Sequence, residues 1–392
     1  MDQANHQQEF TAHDRVHGVS PHAAQSRPGL RLVNTGLRLA EPVAAPDAAW
    51  ADGFARLADW LDIAVEPVAG DRAPGLQRVA AWARSATGVP AAPLFAPWQP
   101  ISPVALQNAE SPDLPRADWA ASYLFDHGPG SGVRAGALDL MLMSPHPARC
   151  QAEDDRAAPL PRPGIIEAML RAAQQEGRTR IAIVVPASQR NAATKQLLMV
   201  DRSLSRDGIA LEILAVEQAL AGLLLPRPQW DALIVTPCLR SVVFAMLAQA
   251  TGVAGPWPML WHGSRGVALV ASEALSEARG RMALDAVVLV QALALTLHHA
   301  GKTSAALRLH QTGAQLRDSG VVTPSRGSPA PYVTEIDDTQ FVDLVCSGGA
   351  PSKRAVPHWR ALPAGSPAGT TGDAARLTLV KANRAIQSTP TL

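Results

Sequence analysis

Between residues 138 and 235, short apolar runs alternate with longer segments that have helical periodicity. The runs predict strands and the longer segments predict helices. Strands are expected at residues 138–143, 180–185, 211–216 and 232–235, and helices at 165–176, 192–206 and 217–225. Strands separated by helices of roughly ten or more residues need crossover connections, so they pair in parallel. The sequence therefore predicts an α/β fold whose sheet is mostly parallel and covered on both faces.

The flanking sequence predicts further elements of both kinds. Helices are predicted at residues 48–61, 116–125, 242–250, 281–299, 304–319 and 337–345, and strands at 30–33, 62–68 and 259–261. Residues 90–115 are rich in proline and are left unassigned. The run 282–297 is apolar on nearly every face, which is typical of a helix that is enclosed on all sides, often in a subunit interface.

The charge balance argues against a dedicated binder of nucleic acid or of a membrane surface. The chain of 392 residues has 35 Lys and Arg against 34 Asp and Glu, a formal charge of +1 that gives no overall attraction to polyanions. Its longest apolar run contains Asp285 and Gln291 and is too short to span a bilayer. Three cysteines without CxxC spacing disfavour a zinc site or a disulfide framework, and no secretory pattern is present. We therefore expect a cytoplasmic protein.

Two terminal segments are predicted to be disordered. Residues 1–28 are polar and hold four of the eleven histidines, so a metal-binding tract is the alternative to a disordered leader. Residues 347–392 are rich in Gly, Pro, Ser and Thr, and six Lys or Arg against one Asp give them a net charge of +5. This basic tail is expected to be dispensable for folding.

Several short segments occur in a characteristic order. They are LDLMLM at residues 138–143, GRTRIAIVV at 177–185, WDALIVTP at 230–237, HGS at 262–264, LHHAG at 297–301 and the run 316–345 that begins LRDSGVVTP. In order and spacing these segments resemble the β-decarboxylating dehydrogenases, the isopropylmalate and isocitrate dehydrogenase family.

This resemblance implies a two-lobed fold with a helical dimer interface. Residues 29–114 and 251–346 would form a discontinuous first lobe, and residues 115–250 would form a second lobe that carries dimerisation elements. Members of the family associate through a two-fold helical interface. We therefore expect association through the helices at 281–299 and 304–319, together with those of the second lobe.

The resemblance also implies a chemistry: oxidation of a 2-hydroxy acid by NAD(P), followed by loss of a carboxylate. In the family a divalent metal is held by three aspartates, a lysine and a tyrosine act in proton transfer, and arginines hold the substrate. The lysine position falls on Pro186, two metal positions fall on Ser241 and Ala245, and the third falls on Glu217. Arg240 would add a positive charge beside the metal position. A single carboxylate cannot hold Mg²⁺ well, so no metal site is expected.

The binding positions are only partly retained. Arg116 and, with a longer loop, Arg134 are candidate substrate arginines. In the family the HGS loop borders the adenine of the cofactor, so His262, Gly263 and Ser264 are candidates for a retained nucleotide site. No cofactor is expected, and NAD(P) is the alternative.

These changes predict a catalytically degenerate homologue, a pseudoenzyme that serves as a structural or regulatory subunit. It would pair with a second copy or with an active relative. One alternative is an NAD(P)-dependent oxidoreductase of altered chemistry that uses Glu217 and unrecognised residues. Another is a ligand-binding or scaffold module whose basic tail docks on a partner.

Overall fold

A computed structural model describes residues 37–39, 48–67, 93–107, 114, 117–127, 137–152, 159–201, 209–253, 255–264, 266–275, 285–324, 332–349, 356–362 and 378–379. The helices are α1 (Ala48–Leu61), α2 (Pro163–Gln175), α3 (Arg190–Asp201), α4 (Val216–Leu223), α5 (Pro237–Thr251), α6 (Ala286–His299), α7 (Thr303–Asp318) and α8 (Asp338–Cys346). Short 3-10 helices occupy Pro103–Gln107, Pro147–Arg149 and Ala187–Gln189. The described residues thus form a mixed α/β structure.

One large sheet runs through the described part of the chain. Its strands are β1 (Leu37–Leu39), β2 (Val65–Pro67), β3 (Leu94–Ile101), β4 (Trp119–Asp126), β5 (Leu138–Pro145), β8 (Arg180–Val185), β9 (Ala210–Ala215), β10 (Ala232–Val235), β11 (Trp257–Gly263), β12 (Gly266–Glu273) and β15 (Thr378–Leu379). Two small sheets pair β6 (Cys150–Gln151) with β7 (Leu160–Pro161), and β13 (Val321–Val322) with β14 (Thr334–Glu335).

The strand order in the large sheet is β15-β9-β8-β10-β5-β4-β11-β12-β3-β1-β2. Of the described strand pairs within this large sheet, only β5-β4, β4-β11 and β11-β12 are antiparallel, which confirms that the sheet is mostly parallel. The strands within 29–114 and 251–346 are neighbours at one end of the sheet, and those within 115–250 are neighbours at the other. The division into two lobes stays a prediction.

Two layers of helices cover the two faces of this sheet. The helices α1, α2, α3, α6, α7 and α8 contribute to the larger apolar core on one face. The other face is covered by α4 and α5 and by the 3-10 helix Pro103–Gln107. Gly252 ends α5 with a φ of 70°, a left-handed conformation that glycine adopts without a steric penalty.

The helix α6 is enclosed by its own chain, which corrects the argument for association. Every residue from Ala286 to Leu297 is buried within the single chain, between the sheet and α7. The side chain of Asp285 accepts a hydrogen bond from the Val288 amide at 2.6 Å and fixes the start of this helix. The apolar circumference of α6 is therefore accounted for by the internal core, and this helix leaves no apolar face for a partner.

One further expectation is wrong, and two strands had no prediction. The predicted helix at 116–125 is the central strand β4, whose eight residues are all buried. A short apolar run that is covered on both faces has no alternation by which it could be told from a helix. The strands β3 and β12 were also missed, the first because of its prolines. The expected strand 30–33 and the leader 1–28 lie outside the described residues.

The predicted disordered tail is contradicted over residues 356–362. Trp359 is 1% exposed, and its ring stacks against Phe125 with 5.3 Å between centroids. Arg360 forms an ion pair with Asp231 at 2.7 Å. Burial of an indole and a charge-assisted hydrogen bond offset the entropy of ordering this segment, although its overall composition is typical of disorder.

No helix in the described ranges combines the length and the apolar character needed to cross a lipid bilayer.

Candidate functional site

The candidate site lies at the edge of the sheet where the parallel strands β5, β8, β9 and β10 end. In open α/β sheets, ligands bind outside the carboxyl ends of the strands. Pro186 directly follows β8, Glu217 lies in the first turn of α4 after β9, and Ser241 and Ala245 lie on α5 after β10. The four positions that the resemblance selected are therefore all in elements that begin at this one edge, which we call the carboxyl edge.

The Ser241 hydroxyl already has a structural partner. Its Oγ accepts a hydrogen bond of 2.7 Å from Nε2 of Gln107, which joins α5 to the 3-10 helix Pro103–Gln107. Ala245, one turn further along α5, offers only a methyl group. A hard divalent cation needs several oxygen ligands, so these two side chains do not fit one. No group of three His, Cys, Asp or Glu side chains in the described part of the chain is placed to hold a metal ion.

Arg240 does not point its charge at the metal position, which corrects the expectation. Its buried guanidinium donates two hydrogen bonds, of 2.9 and 2.8 Å, to the carboxylate of Glu273 on β12, and a third of 2.8 Å to Ser122 on β4. The side chains of Arg240 and Glu273 are both 0% exposed. The charge of Arg240 is therefore neutralised inside the protein, where it joins α5 to the sheet.

The ring of His262 stacks on the indole of Trp119 in the neighbouring strand. The two rings are 3.7 Å apart between centroids and nearly parallel, at 4°, because these residues are opposite each other in the β11-β4 register. Burial and the nearby His299 lower the pKa of His262 well below its usual value, so the ring is neutral at pH 7. Its Nε2 is buried and has no hydrogen-bond partner among the described residues. Gly263 ends β11 and Ser264 follows in the turn to β12.

A polar cluster at the same edge was missed by the sequence analysis. Asp118 forms an ion pair with Arg149 at 2.9 Å, and its backbone carbonyl accepts a hydrogen bond from the His146 amide. The Asp118 amide in turn donates to the carbonyl oxygen of His262 at 2.7 Å. Nδ1 of His146 accepts from the Ala148 amide at 3.1 Å, and burial lowers the pKa of His146. The polar residues of the segment 144–150, among them His146 and Arg149, were the available signal in the sequence.

Two candidate substrate residues cannot be placed. Arg116 and Arg134 both lie outside the described residues. Glu217 is exposed in the first turn of α4, where a carboxylate interacts favourably with the helix dipole. The edge thus brings together a stacked His–Trp pair and an Asp–Arg pair, and among the residues that the structure describes it holds no group of carboxylates placed to bind a metal.

Comparisons with known proteins support the fold alone. No protein-family model matches the chain, and no curated protein matches it in sequence. The fold is similar to that of isocitrate dehydrogenase from Methylococcus capsulatus, with a TM-score of 0.54 and 13% identity over 80% of this chain and 99% of that one. It is also similar to the TT0538 protein from Thermus thermophilus, with a TM-score of 0.55 and 11% identity over 83% of this chain and 71% of that one. The predicted isocitrate dehydrogenase-like fold is therefore confirmed at the level of a distant fold relationship.

Proposed function

We propose that this chain is a catalytically degenerate relative of the isocitrate and isopropylmalate dehydrogenases that acts as a structural or regulatory subunit. The observation that carries the proposal is the first two turns of α5 at the carboxyl edge. There Ser241 is hydrogen-bonded to Gln107, Ala245 is apolar, and Arg240 turns inward to Glu273. Ser241, at one of the positions where the family holds its metal, thus stabilises this protein's own packing, and so does Arg240 beside it.

The exposed apolar side chains support association through the face that carries α4 and α5. Leu220 on α4, Leu224 just after it, Val242 on α5 and Val104 on the adjoining 3-10 helix are 38%, 57%, 50% and 55% exposed. The elements are neighbours, since α5 contacts both α4 and the 3-10 helix. Burying apolar surface contributes about 25 cal/mol per Å². The partner is a second copy of the chain or an active relative, and the interface is formed by helices of the predicted second lobe.

An activity assay tests the catalytic part of this proposal. Purified protein is incubated with Mg²⁺ or Mn²⁺, NAD or NADP, and isocitrate, isopropylmalate, malate or tartrate, and nucleotide reduction is followed by absorbance. We expect no turnover above background, because Pro186 cannot transfer a proton and the α5 positions offer no carboxylate. Metal-dependent turnover would overturn the degenerate assignment and favour the oxidoreductase of altered chemistry, for which the Asp118–Arg149 pair is a substrate-binding candidate.

Mass measurement in solution tests the association. Light scattering after gel filtration is expected to give a dimer for the wild type, and Leu224→Glu or Val242→Glu is expected to shift it to a monomer, because a charge on this face would have to be buried unpaired. Met199→Glu is the matched control, since Met199 is 72% exposed on the different helix α3. A monomeric wild type that also fails to bind an active relative would contradict the subunit role.

A further inference from the structure

Two cysteines lie in segments that follow adjacent strands at the carboxyl edge. The strands β5 and β10 pair in parallel, with Met143 opposite Ile234, so the chain leaves both strands at the same edge of the sheet. Cys150 begins β6, shortly after the end of β5, and Cys238 is the second residue of α5, which follows β10. Both thiols are free in this structure. The topology therefore places two free thiols at one edge of the sheet.

The two thiols differ in their access to solvent. Cys238 is exposed, and its Sγ is 3.3 Å from Oγ1 of Thr236. Cys150 is half-buried, and its Sγ donates a weak hydrogen bond to the carbonyl oxygen of His146 at 3.7 Å. A reagent that arrives from solvent therefore meets the Cys238 thiol before the Cys150 thiol.

The two thiols are within electrostatic reach of each other. The pKa of Cys150 is raised to about 12, chiefly by burial and further by the negative charge of the nearby Cys238 thiolate, while the Arg162 guanidinium opposes the shift. Burial lowers the pKa of His146, so the imidazole next to Cys150 is neutral at pH 7. The charge of Arg149, which directly precedes Cys150, is paired with Asp118. Cys150 therefore stays protonated at pH 7.

We propose that Cys238 is a modification site for low-molecular-weight disulfides and that Cys150 is the thiol that resolves the adduct. In the first step, the Cys238 thiolate attacks one sulfur of the small disulfide, whose S–S bond breaks and releases a small thiol. In the second step, Cys150 loses its proton and its sulfur attacks Sγ of Cys238, which releases the second small thiol. The protein loses two protons and two electrons to form one disulfide, and the reagent takes them up as two thiols.

The second step joins the segment after β5 to the first turn of α5. A disulfide needs Cα atoms within about 7 Å of each other, so the segment that carries Cys150 has to adjust toward α5. This segment is held by the Asp118–Arg149 pair, in which the Arg149 side chain is 47% exposed. Local movement of a segment held by exposed contacts costs less free energy than movement of a buried strand. The site is independent of the function proposed above.

Oxidation with 2-hydroxyethyl disulfide tests both steps. The reduced full chain is incubated with the reagent, quenched with acid at intervals, and analysed by mass spectrometry of the intact protein and of its peptides. We expect an adduct on Cys238 first and a disulfide between Cys150 and Cys238 afterwards.

The pH dependence of the second step identifies the attacking thiol. The adduct is formed first, the excess reagent is removed, and the pH is then raised. Because burial, the largest cause of the raised pKa of Cys150, persists in the adduct, the rate of closure is expected to rise about tenfold for each pH unit between pH 7 and pH 9. An adduct that does not close at pH 9, or a closure rate that is independent of pH, would overturn the proposal.

Substitutions separate the two roles. Cys150→Ser is expected to keep the adduct on Cys238 without closure, and Cys238→Ser is expected to form neither the adduct nor the disulfide. Cys346→Ser is the matched control, because Cys346 is also half-buried with a pKa raised by burial, but it ends α8, beside Arg56 and Asp343. It should behave as the wild type, and circular dichroism checks that each variant is folded. A first adduct on Cys150 or Cys346 in the wild type would contradict the assignment, and so would closure in Cys150→Ser.

Discussion

At the amino edge of the sheet, opposite the carboxyl edge, charged side chains are buried in a connected network, whereas at the carboxyl edge the Asp118–Arg149 pair is partly open to solvent. The Arg178 side chain is 0% exposed and forms ion pairs with Asp139 at 2.7 Å and with Glu176 at 2.9 Å. The Arg149 and Asp118 side chains are 47% and 20% exposed. The network and the Asp118–Arg149 pair therefore differ in how strongly their charged groups are held by the fold.

The amino-edge network joins segments that are distant in sequence. Asp231, just before β10, accepts hydrogen bonds from the amides of Thr179 and Arg180 at 3.0 and 2.9 Å and pairs with Arg360 at 2.7 Å. Arg178 also donates to the carbonyl oxygen of Asp231. Removing one member of a buried network leaves the others uncompensated, which is costly. The fold thus constrains the side chains of this network more than it constrains the partly exposed Asp118–Arg149 pair.

The largest effect is expected from removing the C-terminal segment that completes this network. A chain that ends at residue 355 loses Trp359, which is 1% exposed, and Leu362, which is 0% exposed, together with the Arg360–Asp231 pair. We expect its free energy of unfolding to fall by at least about 5 kcal/mol, since removing a buried Trp alone typically costs about 3 to 5 kcal/mol. Urea unfolding followed by circular dichroism measures the change.

A chain that ends at residue 365 is the matched control for this truncation. It keeps Trp359, Arg360 and Leu362, so it should be more stable than the shorter chain by the same several kcal/mol. Equal stability of the two truncated chains would mean that the segment 356–362 contributes nothing to folding, as its composition alone predicts.

A single substitution at each edge compares the two edges directly. Arg178→Met leaves the carboxylates of Asp139 and Glu176 without their buried partner, and we expect a loss of about 3 to 5 kcal/mol in the free energy of unfolding. Burial already raises the pKa of Glu176, although Arg178 opposes this. Arg149→Met breaks a partly exposed pair and is expected to cost less than about 1 kcal/mol. Similar losses in the two variants would remove the contrast between the edges.

The sequence predicted correctly the elements whose hydrophobic periodicity and boundaries are clear. The strand 180–185 and the helix 48–61 have the predicted bounds, because an uninterrupted apolar run and an amphipathic pattern each point to one structure. The strand β4 was mistaken for a helix because it is buried on both faces, a property that depends on its neighbours β5 and β11. The burial of α6 within one chain likewise follows from tertiary packing with α7 and the sheet.

The candidate site was only partly predictable. The motif order placed Pro186, Glu217 and Ser241 in elements at one edge of the sheet. It could not indicate that Arg240 turns away to Glu273, which is 33 residues distant in sequence. The Asp118–Arg149 pair joins two segments that are distant in sequence, and no local motif encodes such a contact. The motif order thus selected positions that lie near one edge of the sheet, but it gave no information on the partners of their side chains.

A smaller effect than that of the truncation or of Arg178→Met concerns pH and His310, which contacts Trp359 beside the amino-edge network. Burial lowers the pKa of His310 to about 4, whereas the unfolded chain titrates near 6.5. Between these values the unfolded state binds more protons, so stability is full above about pH 6.5 and falls as the pH decreases toward 4. Between pH 7 and pH 5, the titration of His310 is expected to lower the free energy of unfolding by about 2 kcal/mol. In the variants His310→Phe and His310→Gln, the free energy of unfolding should change between pH 7 and pH 5 by about 2 kcal/mol less than in the wild type, although the two variants differ in stability at pH 7. Urea unfolding at the two pH values checks this, and a variant with the full wild-type pH dependence would show that His310 does not carry the effect.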